Sequence, residues 1–302
     1  MPEKDQRFLE WLNRPDELRA AAEFTSAGTG FVPALIEKDF WCSLVLSRLF
    51  ADRCCPLVFK GGTLLSKAYA GFNRLSEDLD FTLPSDDTTT RRRRSARARE
   101  TGQSLAEAFE GLPVKVGEWV GFNNSTQHQA MLEYASVFGG SGTIKLEIGQ
   151  RETPLRPVRP VPLSMLLRDP LFDEPAVAPV AVPALDALEA YAEKVRATLT
   201  RKDPAPRDLF DLHYAVMGGV LDWDNGEFLD LAARKVAGEE SSGWLRDERI
   251  EAFRRRLASE LRPVLRPPAF EAFDFDAALA TMTMIAKAVK RHLPDGRSNA
   301  EP

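Results

Sequence analysis

Residues 58–83 read VFKGGTLLSKAYAGFNRLSEDLDFTL, and the interpretation of this stretch decides the fold. Val58, Phe59 and Lys60 have the character of a short strand's end. Gly61 and Gly62 permit a tight turn and a close approach of backbone to a ligand. Thr63 is placed to cap a helix over Leu64 to Tyr69, whose free N–H groups would face a triphosphate. Asp78-Leu79-Asp80-Phe81 then reads as a strand. Alternation sets Asp78 and Asp80 on one face and Leu79 and Phe81 on the other. Side-by-side carboxylates repel each other, and a divalent cation between them relieves the repulsion. Mg²⁺ suits a few carboxylates plus substrate phosphates.

Working outward, Asp5 to Ala51 has helical periodicity, with Leu35, Ile36, Phe40, Leu44, Leu46 and Leu49 on one amphipathic stretch. Thr88 to Gly111 reads as a further helix, with Asp86 and Asp87 near its positive end. Val114 to Phe122, Gln129 to Phe138 and Thr143 to Ile148 read as strands. In the last, Ile144, Leu146 and Ile148 alternate with Lys145 and Glu147, as in a half-buried strand. Prolines then cluster between Thr153 and Pro183, which excludes long regular structure and marks a passage between lobes. Short pieces such as Val177 to Val182 remain able to pair at a sheet edge. Five helical segments follow: Ala184 to Thr200, Pro206 to Gly218, Gly226 to Ala237, Asp247 to Leu261 and Asp276 to Leu293. The tail from Pro294 is expected to fray. The expected division is an α/β lobe over 1–152, a Pro-rich segment over 153–183 and a helical lobe over 184–302, with a cleft between the lobes.

Composition narrows the function. A net charge of −5 excludes a generally basic polyanion binder, so any nucleic-acid contact needs a local patch. The one basic run is Arg91 to Arg94 with Arg97 and Arg99. It reads either as a solvated face or as a rail for an RNA backbone. No apolar run is long enough to cross a membrane, and Met1 to Arg7 lacks the apolar core of a secretion signal. Cys42, Cys54 and Cys55 in 302 residues suggest a reducing compartment, the cytoplasm, and core packing. His128, His213 and His292 lie far apart, which leaves no case for structural zinc or a serine-type triad.

Further candidates flank the acidic strand. Glu147 lies mid-strand opposite the apolar face and is a candidate third metal ligand, or else an exposed residue paired with Lys145. Ser76 and Thr63 are candidate phosphate donors, while Lys60, Lys67 and Arg74 surround the glycine turn. GGTLLSK lacks the GK[ST] ending of a Walker A loop. Lys194 flanks the stripe Leu188, Tyr191, Val195 and Leu199. On residues alone it reads as a surface lysine paired with Glu189 or Glu193. Asp208 and Asp211 share a helix face. Asp211 sits among apolar residues and needs a partner, for which Arg207 or Lys194 can serve.

At Gly61-Gly62-Thr63, Ser76-Glu77-Asp78-Leu79-Asp80, Lys194 and Asp208-Leu209-Phe210-Asp211-Leu212 the chain resembles the DNA polymerase β-type nucleotidyltransferase superfamily. More narrowly, it resembles the AbiEii/AbiGii toxin family of abortive-infection and toxin–antitoxin systems. Glu37-Lys38-Asp39-Phe40 looks like the helix that precedes the glycine motif in that family. The resemblance spans about Leu35 to Tyr214. It implies an α+β fold in which a polymerase β-type lobe, with a mixed sheet flanked by helices, precedes a helical lobe. It implies transfer of a nucleoside monophosphate from an NTP to an acceptor hydroxyl, with one or two Mg²⁺ ions and release of pyrophosphate. The implied catalytic set is Asp78, Asp80, Lys194 and Asp211, with Asp78, Asp80 and Glu147 on metal. Gly61, Gly62, Thr63, Ser76, Lys194 and Asp208 fall at the nucleotide. The implied acceptor is RNA, in particular the tRNA 3′ end, and a cognate antitoxin encoded nearby is the implied partner. Transfer to a protein or antibiotic hydroxyl, and NTP binding without catalysis, are the rival expectations.

Overall fold

The computed structural model describes residues 3–51, 55–85, 90–150, 153–237 and 243–293. The chain forms two compact units, Met1–Leu185 and Asp186–Pro302. Asp86, Asp87, Cys54 and the tail from Pro294 lie outside the described residues.

The first unit opens with α1 (Glu3–Leu12), α2 (Pro15–Thr29) and α3 (Pro33–Leu49). Proline starts both α2 and α3, where its missing N–H costs no helical bond. Gly30 ends α2 in the left-handed conformation, its N–H bonded to the Ser26 carbonyl. The expected amphipathic stripe understates α3. Ile36, Phe40, Trp41, Cys42, Leu44, Val45, Leu46 and Leu49 are all buried, and so are Glu37, Asp39 and Ser43. Burial pushes the Cys42 thiol up to about 12, which makes it a packing group rather than a nucleophile.

Among the described residues the sheet has eight strands: β1 (Val58–Lys60), β2 (Asp78–Thr82), β3 (Val114–Val116), β4 (Val120–Phe122), β5 (Gln127–Ala135), β6 (Ser141–Gly149), β7 (Arg159–Leu163) and, from later in the chain, Val180–Ala184. Between β7 and that last strand, β8 (Arg168–Asp169) and β9 (Glu174–Pro175) form a separate hairpin, so Val180–Ala184 is β10. The sheet order is β3-β5-β6-β2-β1-β10-β7, with β4 also on β5. The sheet is mixed: β2 runs antiparallel to β1 and parallel to β6.

Two expectations are corrected here. The stretch from Val114 to Phe122 is broken into β3 and β4, with the Gly117 N–H bonded to the Met131 carbonyl at 2.8 Å between them. The Pro-rich segment is not merely a passage between lobes, because it supplies two strands of the sheet. Pro160 and Pro162 are two residues apart on the edge strand β7, so their nitrogens lie on the same side. Five register pairs from Val180↔Leu163 to Ala184↔Arg159 survive, which places the donorless nitrogens on the open edge.

A short helix α4 (Gly61–Leu64) links β1 to a π-helical turn over Leu65–Tyr69. The 18-residue α5 (Arg91–Ala108) is capped by Thr90, whose hydroxyl accepts from the Arg93 N–H at 3.4 Å. The second unit is helical: α6 (Ala187–Thr200), α7 (Pro206–Met217), α8 (Gly226–Val236), α9 (Asp247–Leu261), α10 (Pro267–Glu271) and α11 (Phe275–Arg291). Asp186, Asn225 and Asp274 cap α6, α8 and α11 through side-chain oxygens, each 3.0 Å from a first-turn N–H. Part of the core joins Phe210 to Leu261 and Leu265, with Phe270 and Phe273 packed against them.

Candidate active site

The pleat of β2 divides its side chains as alternation requires. Leu79 and Phe81 are fully buried; they face Leu146 and Ile148 of β6 across the parallel register, and Phe59 packs on Phe81 with ring centroids 5.4 Å apart. Asp78 and Asp80 occupy the other, half-exposed face. Across the sheet, Lys60 of β1 is opposite Asp80, and Asp80 is opposite Glu147 of β6. One step along, Asp78 is opposite Lys145. Residues in register share a face, so three carboxylates and two ammonium groups lie on one patch of sheet.

Gly61 adopts φ +82, and a Cβ there would stand 2.9 Å from Asp80 Cγ and closer still to the carboxylate. The close approach made possible by this glycine is therefore to the Asp80 side chain. At Gly62 an added Cβ would meet Arg74 Nη2 at 2.6 Å and Ser76 Oγ at 2.9 Å. The glycine pair thus lets the turn nest between Asp80 on one side and Arg74 and Ser76 on the other. Gly61→Ala combines left-handed backbone strain with displacement of the Asp80 carboxylate. We expect about 2–3 kcal/mol lower stability, read by thermal unfolding, and a larger loss of turnover than of folded protein.

Thr63 is not the helix cap. Lys60 holds that position without a side-chain bond, and Thr63 lies inside the helix, its hydroxyl donating to the Asp78 carbonyl at 2.5 Å. Its hydroxyl therefore fixes the start of the acidic strand. The Glu147 carboxylate accepts from Gln127 Nε2 at 3.0 Å and pairs with Lys145 at 3.4 Å; Lys145 also reaches Asp78 Oδ2 at 3.5 Å. Burial, then Glu147, then Asp78 push the Asp80 carboxyl up to about 6, against the opposing pull of Lys60 and Lys145.

That shift has a defined sign. A carboxyl that binds its proton more tightly when folded makes the protein more stable as pH falls from 7 towards 4. With divalent metal removed by chelator, stability should rise by about 1–2 kcal/mol on going from pH 7 to pH 5, and Asp80→Asn should flatten the rise. Urea unfolding at the two pH values measures it.

The patch fits a divalent cation in part. It offers two hard oxygen donors on adjacent same-face positions, with surplus negative potential at Asp80. Among the described residues, however, no group of three His, Cys, Asp or Glu side chains converges closely enough to enclose an ion. Asp78 and Asp80 with substrate oxygens match what Mg²⁺ accepts. Glu147 shares their face, but its carboxylate is held by Gln127 and Lys145.

Behind the patch, α3 carries charges that pin surrounding loops. Glu37 accepts from Ser136 Oγ at 2.6 Å and Val137 N at 2.9 Å, which ties down the β5–β6 turn. Lys38 pairs with Glu77 at 3.1 Å. Asp39 pairs with Lys67 at 2.6 Å and accepts from Leu166 N at 2.9 Å. Lys67 is almost fully buried and also donates to Ser43 Oγ at 2.7 Å, so it ties the π-helical turn after the glycine pair to α3. This buried support is what the sequence reading missed at Lys67.

In the second unit Lys194, Asp208 and Asp211 meet. The Lys194 ammonium lies 2.6 Å from Asp208 Oδ1 and 3.0 Å from Asp211 Oδ2, and Arg201 reaches Asp208 Oδ2 at 3.3 Å. All three members of the triad are buried. Lys194 is therefore the partner of Asp211, not a surface lysine paired with Glu189 or Glu193. Those two glutamates are bound by Lys235 of α8, at 2.8 and 2.7 Å.

The mixed sheet thus carries an acidic strand beside a glycine turn, and a helical unit follows it in the chain. The chain belongs to the AbiEii family: the profile described as "Nucleotidyl transferase AbiEii toxin, Type IV TA system" matches residues 44–295. Among solved structures it is similar to MenT4, nucleotidyltransferase toxin Rv2826c from Mycobacterium tuberculosis H37Rv, with a TM-score of 0.55 and 19% identity over 91% of this chain and 99% of that one. This likeness supports the fold. No curated protein sequence matches. The protein is thus a nucleotidyltransferase of a toxin family whose members use an NTP and a divalent metal and whose systems include an antitoxin. Among the described residues no helix is long and apolar enough to cross a membrane.

Proposed function

We propose that this protein transfers a nucleoside monophosphate from an NTP to a hydroxyl of RNA, at the 3′ end of tRNA, in the cytoplasm, and that an antitoxin encoded nearby restrains it. The carrying observation is the pairing of Asp78 and Asp80 on the half-exposed face of β2, opposite Glu147 and Lys145. In the transfer, the acceptor oxygen bonds to the α-phosphorus, the bond from that phosphorus to the bridging oxygen breaks, and pyrophosphate leaves. The acceptor's proton passes to solvent or to a carboxylate of the patch. Mg²⁺, when bound, supplies neutralisation of the triphosphate and activation of the acceptor hydroxyl. Asp78 and Asp80 hold it, with Glu147 as the candidate third oxygen donor. Thr63 fixes the backbone at Asp78, and Gly61 leaves room for the Asp80 carboxylate. Gly62 and Ser76 line the turn where the phosphates would lie. A role for Lys194 at the nucleotide phosphates, with Asp208 and Asp211 behind it, rests on the family pattern.

The direct test is incubation of the purified protein with labelled NTPs, Mg²⁺ and total tRNA. Label should enter RNA with the wild type and not with Asp80→Ala. Equal labelling by both would refute the site. Label in protein or in a small product would reassign the acceptor.

RNA as acceptor draws support from α5. Arg94 donates to the Asn124 carbonyl at 3.5 Å and Arg97 to the Pro84 carbonyl at 2.8 Å, so these two dock the helix. Arg91, Arg92, Arg93 and Arg99 are exposed. Arg92 and Arg99 are seven residues apart and share a helix face. Replacing both with Glu should weaken tRNA binding about tenfold or more at low salt and reduce the salt slope by about two ions. Filter binding across a salt series reads both.

A further inference from the structure

Lys145 lies in direct contact with two carboxylates of the patch. Its ammonium is 3.5 Å from Asp78 Oδ2 and 3.4 Å from Glu147 Oε2. The three side chains are similarly half-exposed, at 32%, 32% and 29%, so the ammonium can leave without unburying a core group. Two structural facts put it there. Parallel pairing of β2 with β6 sets Lys145 beside Asp78, and the two-residue strand repeat sets Lys145 and Glu147 on one face. Lys60, on the other side of β2, faces Asp80 but forms no ion pair among the described residues.

We propose that Lys145 makes metal binding at Asp78 and Asp80 conditional on the nucleotide. A divalent cation approaching Asp78 alone meets an ammonium already on that carboxylate and is repelled by it. A triphosphate brings negative oxygens that offer the ammonium another partner. With nucleotide present, Lys145 moves from Asp78 to phosphate, and Asp78 turns to the metal. Metal and nucleotide then favour each other's binding, and by linkage the coupling is the same from either side. The proposal rests on reading Asp78 and Asp80 as metal ligands.

The test is Mn²⁺ titration of the full chain, followed by electron paramagnetic resonance of free Mn²⁺, without nucleotide and with a non-hydrolysable α,β-methylene NTP. In the wild type Mn²⁺ should bind weakly alone and more tightly with the analogue. Lys145→Met should bind Mn²⁺ alone about fivefold more tightly, with a correspondingly smaller gain from the analogue. Lys145→Arg should restore wild-type behaviour. Lys60→Met, which removes a nearby charge but no ion pair among the described residues, should change Mn²⁺ affinity less than Lys145→Met. Lys145→Gln provides a second neutral variant if Lys145→Met unfolds. Unchanged or weaker Mn²⁺ binding by the neutral variants, or an equal effect of Lys60→Met, overturns the coupling. If Asp80→Asn leaves wild-type Mn²⁺ binding intact, the metal-site reading fails instead.

Discussion

Asp80→Asn is expected to lower NTP turnover by about a thousandfold or more while leaving a folded protein. The substitution keeps the size of the side chain and so respects the tight fit over Gly61, where a single added Cβ would stand 2.9 Å from Asp80 Cγ. It removes one of two carboxylates that share the half-exposed face of β2, and with it the charge that would hold a divalent ion against a triphosphate. The buried side of the strand is untouched, since Leu79 and Phe81 pack against Leu146, Ile148 and Phe59. Stability supplies the control. Asp80 is ionised at pH 7 although its carboxyl is raised to about 6 by burial, Glu147 and Asp78, so its charge is carried at a cost. The metal-free Asn variant should therefore be as stable as the wild type or more so at pH 7. Activity and stability moving in opposite directions would mark a functional group; a joint loss would mark a structural one.

The acidic face of β2 was legible because a strand has a period of two and Leu79 and Phe81 could only point inward. The same alternation placed Glu147 on the outward face of β6. What the residues did not show was register. Asp80 lies beside Glu147, and Asp78 beside Lys145, through parallel pairing of strands more than sixty residues apart in sequence, and no local pattern encodes that. The role of α3 was hidden for a similar reason. Glu37 and Asp39 looked like part of a helix of known type, while their partners Ser136, Val137, Lys67 and Leu166 are scattered along the chain. A usable signal did exist: charged residues on a helix that is otherwise apolar nearly all round need buried partners. In the Pro-rich segment proline density alone hides the strands, and the spacing of the prolines reveals them. Alternate prolines on an edge strand leave every inward-facing N–H intact, as Pro160 and Pro162 do. Thr63 lies one turn inside the helix because the helix begins at Gly61, at positive φ, directly after the extended cap residue Lys60.

Lys194→Met is expected to destabilise the protein by about 3–5 kcal/mol, the cost of removing the ammonium that two buried carboxylates share. The argument turns on how the triad is shared. Lys194 serves both Asp208 at 2.6 Å and Asp211 at 3.0 Å, and Arg201 reaches the Asp208 carboxylate at 3.3 Å from a largely exposed position. Loss of Lys194 leaves both carboxylates without its ammonium in a buried setting, where Leu209, Phe210 and Leu212 surround Asp211 in sequence and are themselves buried. Adding Asp211→Asn to Lys194→Met should recover part of the loss, since a neutral amide tolerates removal of the Lys194 ammonium better than a buried carboxylate does. Asp211→Asn alone should cost less than Lys194→Met, because Lys194 keeps Asp208. A double-mutant cycle by chemical denaturation tests this order, and a coupling energy near zero would overturn the shared-cation account. The same variants separate structure from chemistry. If the triad only props up the helical unit, the Lys194→Met/Asp211→Asn protein should regain turnover along with stability. If Lys194 also contacts nucleotide phosphates, as the family pattern implies, stability returns and turnover stays low, because methionine has no charge to offer a triphosphate.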